Sequence, residues 1–243
     1  MTLPARTLVV VIPAYQAAER LGPIVAGARR HLERVLVVDD GSRDGTAAAA
    51  EAAGAEVLRH PSNRGKGAAL RTAFERLLGE RRRAAEPDAA FAGALTLDAD
   101  GQHDPDDIPR FLERFGRERP AVIVGSRASG FARMWGLRRL MNRVSSLSLR
   151  LLAGLDLPDT QSGYRVYDAR FLERARLAGG RYEAEMGLLV QAARLRLPVV
   201  SLEVGATVAD GRATSHYRPL RDTFRIVGTV LRERARRGPG PGA

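Results

Sequence analysis

Asp98 and Asp100 are separated by one residue and directly follow an apolar stretch, residues 94–97, that predicts a buried strand. Gln102 lies two positions further along. Carboxylate and amide oxygens are the ligands that Mg²⁺ and Mn²⁺ prefer, and such cations bridge readily to substrate phosphates. The segment therefore predicts a Mg²⁺ or Mn²⁺ site made by Asp98, Asp100 and Gln102, with an ordinary solvated loop as the alternative. His103, a single loop histidine, is expected to be a capping or solvated residue.

Two earlier segments place polar residues where a nucleotide can bind. Asp39 follows a β-branched stretch, and a carboxylate there can accept hydrogen bonds from a nucleobase N–H or a ribose hydroxyl; a capping loop is the alternative. Lys66, the only lysine of the chain, lies between Gly65 and Gly67 at a predicted helix start, where a phosphate can approach closely. The spacing excludes a Walker A loop.

Later segments add groups for phosphates and for an acceptor. Arg127 follows another predicted strand and can neutralise charge that develops on a phosphate. Residues 159–165 combine a carboxylate, an amide and a guanidinium, so Asp159 is a candidate for orienting or deprotonating an acceptor. A basic, hydroxyl-rich loop with Arg212 and His216 is suited to gripping a pyrophosphate.

Strand and helix patterns alternate through the first half of the chain, which indicates parallel β-α-β units and an α/β fold. Strands are predicted at residues 8–12, 35–38, 55–58, 94–97 and 121–124, and a late strand at residues 197–204. Helices are predicted at residues 24–32, 46–53, 67–78 and 108–115, the last capped by Asp104. Because ligands bind beyond the carboxyl ends of strands in such sheets, the polar segments are expected to converge at one edge.

Composition limits the classes of protein that fit. The chain has 243 residues, enough for one sizeable domain, and no cysteine, which fits a reducing compartment. No apolar run approaches the length of a transmembrane helix, and a signal peptide is not evident, so a cytoplasmic protein is expected. The net charge of +11 favours polyanions such as nucleotide phosphates, nucleic acid or an anionic membrane face.

One helix pattern, residues 138–155, carries a stripe of apolar residues with arginines beside it. The stripe predicts either a core-facing helix with a solvated basic side or a face that rests on an anionic membrane. The Arg/Gly/Pro-rich end, residues 231–243, is expected to be a disordered tail. Aromatic residues are only 5%, and no basic motif is interleaved with them, so no nucleic-acid partner is expected.

Six segments together resemble the family 2 glycosyltransferases of the GT-A fold, and most closely the dolichyl- or polyprenyl-phosphate sugar transferases. In the order of the chain they are residues 11–15, 38–46, 63–67, 97–103, 124–127 and 159–165. The resemblance implies a GT-A, Rossmann-like three-layer αβα sandwich with a mainly parallel central sheet. It places a single GT-A domain at residues 1–230.

The resemblance also implies roles for individual residues. The nucleoside is expected at Pro13, Tyr15, Val37 and Asp39. The rest of the donor is expected at Asp98 and Ala99, and the divalent metal at Asp100 and Gln102. The phosphates are expected at Arg127, Arg212 and His216. Two departures from the family stand out: Gln16-Ala17 replaces its usual Asn-Glu, and His216 replaces a lysine.

The activity implied is an inverting, metal-dependent transfer of mannose or glucose from GDP-mannose or UDP-glucose to a polyprenyl phosphate. The acceptor implies peripheral contact with an anionic membrane, at the inner face of the cell membrane. Asp100, Arg127 and Asp159 are the candidate catalytic residues. The alternatives are a soluble glycan or small-molecule hydroxyl acceptor, an inactive nucleotide-sugar-binding paralogue, a sugar-1-phosphate nucleotidyltransferase and a nucleic-acid-binding module.

Overall fold

The computed structural model describes residues 7–127, 136–177, 183–205 and 228. Within these ranges the side chains of residues 136–142, 148 and 152 are not described. The predicted phosphate ligands Arg212 and His216 and the predicted tail at residues 231–243 lie outside the described residues.

A seven-stranded sheet organises the described chain. Its strands are β1 (Leu8–Ala14), β2 (Val35–Asp39), β3 (Glu56–Arg59), β4 (Gly93–Thr96), β5 (Val122–Ser126), β6 (Arg165–Asp168) and β7 (Val199–Glu203). Their order across the sheet is β3-β2-β1-β4-β6-β5-β7. All neighbours are parallel except β6, which runs antiparallel to both β4 and β5. The six strands predicted from the sequence, including the late one, are all present.

Eight helices cover the sheet within the described residues. They are α1 (Ala18–Arg29), α2 (Thr46–Ala52), α3 (Lys66–Arg83), α4 (Pro87–Ala90), α5 (Ile108–Glu118), α6 (Gly136–Ala153), α7 (Ala169–Arg174) and α8 (Glu183–Arg194). Asp104 caps a short 3-10 turn before α5, accepting a hydrogen bond from Asp106 N at 2.9 Å. The predicted cap and the helix that follows it are therefore confirmed.

Two separate apolar layers, one on each face of the sheet, form the core of the three-layer sandwich. Alternate side chains of β1 point to opposite faces, so Val9 and Val11 join one layer while Val10 and Ile12 join the other. The first layer receives residues from α3, α6, α7 and α8, and the second receives residues from α1, α2 and α5. Continuous runs of Val, Ile and Leu are typical of strands covered on both faces. The α/β three-layer fold expected from the sequence is confirmed.

Strand β6 was not among the predicted strands. Its first residue, Arg165, belongs to a polar segment, and the strand has only four residues, so its sequence gives a weak periodic signal. The structure pairs Val166 with Leu95 of β4 and with Ile123 of β5. The strand is therefore defined by its two neighbours and not by its own alternation.

The apolar stripe of α6 is partly exposed, so the first of the two alternatives, a core-facing helix, does not account for the whole stripe. Leu147 and Leu151 have exposed fractions of 54% and 68%, and Val144 is exposed as well. The core contact of this helix is made instead by Leu149, which is fully buried. Arg143, like Arg150, is exposed. The helix thus presents an apolar surface beside cations.

Candidate functional site

The carboxyl ends of β1 and β2 are adjacent, since Ala14 pairs with Asp39 in the parallel register. Gln16 links the two loops that follow them. Its Oε1 accepts hydrogen bonds from Arg43 N at 2.9 Å and Asp44 N at 3.2 Å, and its own N–H donates to Ser42 Oγ at 2.9 Å. Gln16 therefore holds together the loops that follow β1 and β2.

Asp40 fixes the loop that leads into α3, a role that the sequence did not reveal. Its carboxylate accepts hydrogen bonds from Gly65 N at 2.6 Å and Arg64 N at 2.9 Å. His60 Nδ1 lies 2.7 Å from the same carboxylate. Gly41, with φ of +76°, allows the loop to approach, because a Cβ there would lie 2.5 Å from the Ser62 carbonyl carbon.

Asp39 lies directly before this cluster and is nearly buried. Its Oδ1 accepts a hydrogen bond from Ser42 N at 3.0 Å, which orients the carboxylate at the end of β2. Tyr15 is exposed at the end of β1. Of the other residues expected to hold the nucleoside, Pro13 is half-buried near the same edge, whereas Val37 is fully buried in the core.

Lys66 lies between two carboxylates at the start of α3. Nζ is 2.7 Å from Asp98 Oδ1 and 2.8 Å from Glu185 Oε2. Burial, the largest single effect, would raise the pKa of Asp98, but Lys66 together with the other positive charges nearby outweighs it, so the pKa lies below its ordinary value. Glu185, in the first turn of α8, is thus a site residue that the sequence did not single out.

Asp100 is placed beside Asp98 at the carboxyl end of β4. Its pKa is raised by burial and by the negative charge of Asp98. Its Oδ1 accepts a hydrogen bond from Gln102 N at 3.0 Å. A divalent cation would relieve the repulsion between the carboxylates, so the donor set fits Mg²⁺ or Mn²⁺. The intervening Ala99 is half-buried.

The coordination sphere that the protein offers is incomplete. In the part of the chain that the structure describes, no three acidic, histidine or cysteine side chains cluster as a metal site. A divalent cation held by Asp98 and Asp100 would need further oxygens, which Gln102 and a bound phosphate could supply. This pattern is typical of a site in which Mg²⁺ is shared between a protein and a phosphorylated substrate.

Arg127 connects the loop that carries Gln102 with the segment at residues 159–165. Its Nε donates to Asp159 Oδ2 at 2.9 Å and its Nη1 donates to Gln102 Oε1 at 3.2 Å. Burial, the largest single effect, lowers the pKa of Arg127, but the carboxylates of Asp159, Asp98 and Asp100 together outweigh it and the pKa is raised. The guanidinium is therefore a permanent cation at the carboxyl edge of the sheet.

Asp159 is fully engaged by its surroundings. Besides Arg127, its carboxylate accepts hydrogen bonds from the backbone N–H groups of Gln161 at 3.1 Å and Ser162 at 3.2 Å. Arg165 supports the same loop, because its guanidinium donates to the carbonyl oxygens of Thr160 and Ser162. The segment at residues 159–165 is thus held tightly at the site.

His103 is buried, which corrects the expectation of a capping or solvated residue. Burial lowers its pKa to about 4, so the ring is neutral at physiological pH. Its ring packs against Tyr164, with centroids 5.1 Å apart, and Nε2 is 3.8 Å from Asp98. A neutral, packed imidazole here helps to form the wall of the site.

Comparison with known proteins identifies the family. Residues 9–176 match the sequence profile described as Glycosyl transferase family 2, which is more than half of the chain. The chain belongs to this family. It is therefore a glycosyltransferase, as the resemblance predicted.

Two relatives are similar over most of the chain. The polyprenol monophosphomannose synthase of Mycolicibacterium smegmatis is 33% identical over 187 residues, covering 72% of this chain and 66% of that protein. The undecaprenyl-phosphate mannosyltransferase of Micrococcus luteus is 30% identical over 208 residues, covering 80% of this chain and 81% of that protein. The chain thus spans about two thirds of the first relative's length and four fifths of the second's.

A solved structure supports the fold. The chain superposes on glucosyl-3-phosphoglycerate synthase from Mycobacterium tuberculosis, in complex with Mn²⁺, uridine diphosphate and phosphoglyceric acid, with a TM-score of 0.72. The identity is 20%, and the match covers 95% of this chain and 79% of that chain. At this identity the likeness concerns the fold, and it confirms the GT-A architecture of this glycosyltransferase.

Proposed function

We propose that this glycosyltransferase moves a sugar from a nucleotide-diphosphate donor to a polyprenyl phosphate, with inversion and with Mg²⁺ or Mn²⁺. The observation that carries the proposal is the hydrogen bond from Arg127 to Gln102. It joins the paired aspartates of the donor side to the segment of Asp159 on the acceptor side. The polyprenyl-phosphate relatives supply the class of acceptor.

The donor lies across the carboxyl ends of β1, β2 and β4 in this proposal. Asp39 and Tyr15 hold the nucleoside, since both lie at adjacent strand ends. Asp100 and Gln102, with Asp98 beside them, hold the metal. When bound, the metal neutralises charge on the diphosphate leaving group.

Further donor contacts belong to the proposal. Arg127 stabilises the same developing charge, and Arg212 and His216 contact phosphates. The nucleoside contacts of Pro13 and Val37, the donor contact of Ala99 and a phosphate contact of Lys66 remain predictions.

The acceptor reacts by direct displacement. An oxygen of the polyprenyl phosphate forms a bond to the anomeric carbon, and the bond from that carbon to the diphosphate breaks with its electron pair on the leaving nucleotide. One displacement inverts the configuration. The phosphate oxygen is already anionic at neutral pH, so no strong base is needed. We assign Asp159 to orienting Arg127, because the Asp159 carboxylate already accepts hydrogen bonds from Arg127, Gln161 and Ser162.

Membrane contact is proposed for α6. Leu147 and Leu151 present apolar surface to solvent, and Arg143 and Arg150 lie on the same exposed helix. An apolar stripe flanked by cations is typical of helices that lie on anionic membranes. Within the described ranges, no helix has both the length and the apolarity needed to cross a bilayer. The proposed location is the cytoplasmic face of the cell membrane, with peripheral attachment.

The experiment is a transfer assay with purified protein, Mn²⁺ or Mg²⁺, and GDP-mannose or UDP-glucose. Polyprenyl phosphate is compared with the matching polyprenol, which lacks only the phosphate, and products are identified by mass spectrometry. We expect a glycosylated lipid from polyprenyl phosphate alone, and from GDP-mannose before UDP-glucose because both relatives are mannosyltransferases. Transfer to a soluble hydroxyl acceptor without any lipid product would overturn the proposed acceptor.

A further inference from the structure

Lys66 is held by two carboxylates that come from distant parts of the chain. Asp98 lies at the end of β4 and Glu185 in the first turn of α8, at 2.7 Å and 2.8 Å from Nζ. Glu185 is almost fully buried, and only 14% of the Lys66 side chain is exposed. The ammonium group is therefore fixed beside an aspartate assigned to the metal.

Gly163 encloses this ion pair. A Cβ at Gly163 would lie 2.5 Å from Lys66 Nζ and closer still to the Asp98 carboxylate. A side chain at Gly163 would therefore have to displace the ion pair. The close approach leaves Asp98 little freedom to move away from Lys66.

The fixed charges around the site nearly balance. The carboxylates are those of Asp98, Asp100, Asp159 and Glu185, and the cations are Lys66, Arg127 and Arg165. With all groups ionised, a divalent cation meets only a small excess of negative charge in the protein. A nucleoside diphosphate brings further negative oxygens, so the attraction for the cation grows when the nucleotide is present.

We propose that Lys66 and Glu185 are positioning residues that make metal uptake depend on the nucleotide. Lys66 opposes binding of a bare divalent cation at Asp98 and Asp100, and Glu185 keeps the ammonium group in place and offsets part of its charge. The cation is then held firmly only together with the diphosphate. This inference rests on the metal and donor assignments of the proposed function.

Manganese binding tests the inference without any sugar transfer. Free Mn²⁺ is measured by electron paramagnetic resonance during titration of the protein, with and without UDP or GDP. We expect the wild-type protein to bind Mn²⁺ weakly alone and more tightly with the nucleotide. Lys66→Met should tighten binding of Mn²⁺ alone by about tenfold, and Glu185→Gln should weaken it by a similar factor.

The opposite changes in Mn²⁺ affinity expected for the two variants distinguish an effect of charge from an effect on the fold. Lys66→Arg keeps the charge and should stay close to the wild-type affinity for Mn²⁺ alone. Lys66→Gln serves as a second neutral variant if Lys66→Met lowers the melting temperature. If both a neutral Lys66 variant and Glu185→Gln weaken Mn²⁺ binding, the two residues act only by maintaining the fold, and the inference is overturned.

Transfer is measured separately on the same proteins. Opposite shifts in Mn²⁺ affinity without any transfer to polyprenyl phosphate would support the inference and overturn the proposed acceptor. A wild-type protein that binds Mn²⁺ equally well with and without nucleotide would overturn the inference even if it transfers sugar.

Discussion

Nε of Arg127 lies 2.9 Å from Oδ2 of Asp159, and both side chains are largely buried. Asp159→Asn should lower kcat/KM for transfer by about 100-fold, because the cation that faces the leaving group loses its partner. If Asp159 orients Arg127 and does not accept a proton, the variant should keep the wild-type shape of its pH–rate profile. Steady-state kinetics across pH measures both. Loss of an acidic limb in the variant would instead identify Asp159 as the base.

Asp100 is half-buried beside another carboxylate, and its pKa is raised. Asp100→Asn should lower transfer by about 100-fold or more, the upper end of what changes around metal sites cost. The variant should also lose the thermal protection that Mn²⁺ and nucleotide give together. Without metal, Asp100→Asn should melt at or above the wild-type temperature, because it lacks the negative charge that burial and Asp98 destabilise. Differential scanning fluorimetry checks both points, and a lower melting temperature without metal would contradict the electrostatic explanation.

Gly163 has no room for a side chain. Gly163→Ala should reduce transfer by about tenfold or more, because a shift of about 1 Å at a site can cost 100-fold. Gly116→Ala is the matched control: Gly116 lies in α5, a Cβ there would meet nothing within 4 Å, and its activity should be unchanged. Kinetics and melting curves of the two variants are compared. Equal activity of both would show that the Lys66–Asp98 pair tolerates displacement.

Asp88 joins three arginines at the opposite end of the sheet. Its carboxylate lies 2.7 Å from Arg81 and Arg119 and 2.5 Å from Arg170, and these contacts, led by Arg119, lower its pKa. Asp88→Ala should cost about 1–2 kcal/mol of unfolding free energy at pH 7, a value reduced for partial exposure. Since its pKa is lowered in the folded state, this contribution is fully present above the ordinary pKa of aspartate, near 4, and is lost progressively as the pH falls from there through the lowered pKa of the folded state.

Urea unfolding at pH 7 and pH 2 measures the effect. Asp106→Ala is the control, because Asp106 pairs with Arg30 and His31 at the exposed surface and its removal should leave the free energy of unfolding nearly unchanged. An Asp88→Ala deficit that persists undiminished at pH 2 would show that packing, and not charge, is lost.

Leu147 and Leu151 are exposed on α6. Replacing both by Gln should reduce sedimentation with vesicles that contain anionic phospholipid, because each buried methylene contributes about 0.8 kcal/mol to insertion. Thermal stability and Mn²⁺–nucleotide binding should not change. Neutral vesicles serve as the comparison. Unaltered binding to anionic vesicles would remove α6 as the membrane contact.

The alternation of strands and helices was predictable because parallel strands covered on both faces carry long apolar runs, as in β1 and β2. Asp39, Asp98 and Asp100 could be predicted as neighbours of the sheet edge because each lies at or just after the end of such an apolar run. Glu185 and Asp40 could not be assigned from spacing, since their partners Lys66 and Gly65 lie elsewhere in the chain. The exposure of Leu147 could not be predicted either, because an amphipathic pattern does not show whether the apolar side of a helix faces the core, solvent or a membrane.

Lys66 has a practical consequence as the only lysine of the chain. Apart from the terminal amine, the side-chain amine of Lys66 is the one amine that an acylating reagent can modify. It lies beside the proposed donor site. The extent of acylation at Lys66 therefore reports how often its ion pairs with Asp98 and Glu185 are broken. Mass spectrometry of the peptide that contains Lys66 can follow this acylation in the presence of different nucleotides, without an engineered tag.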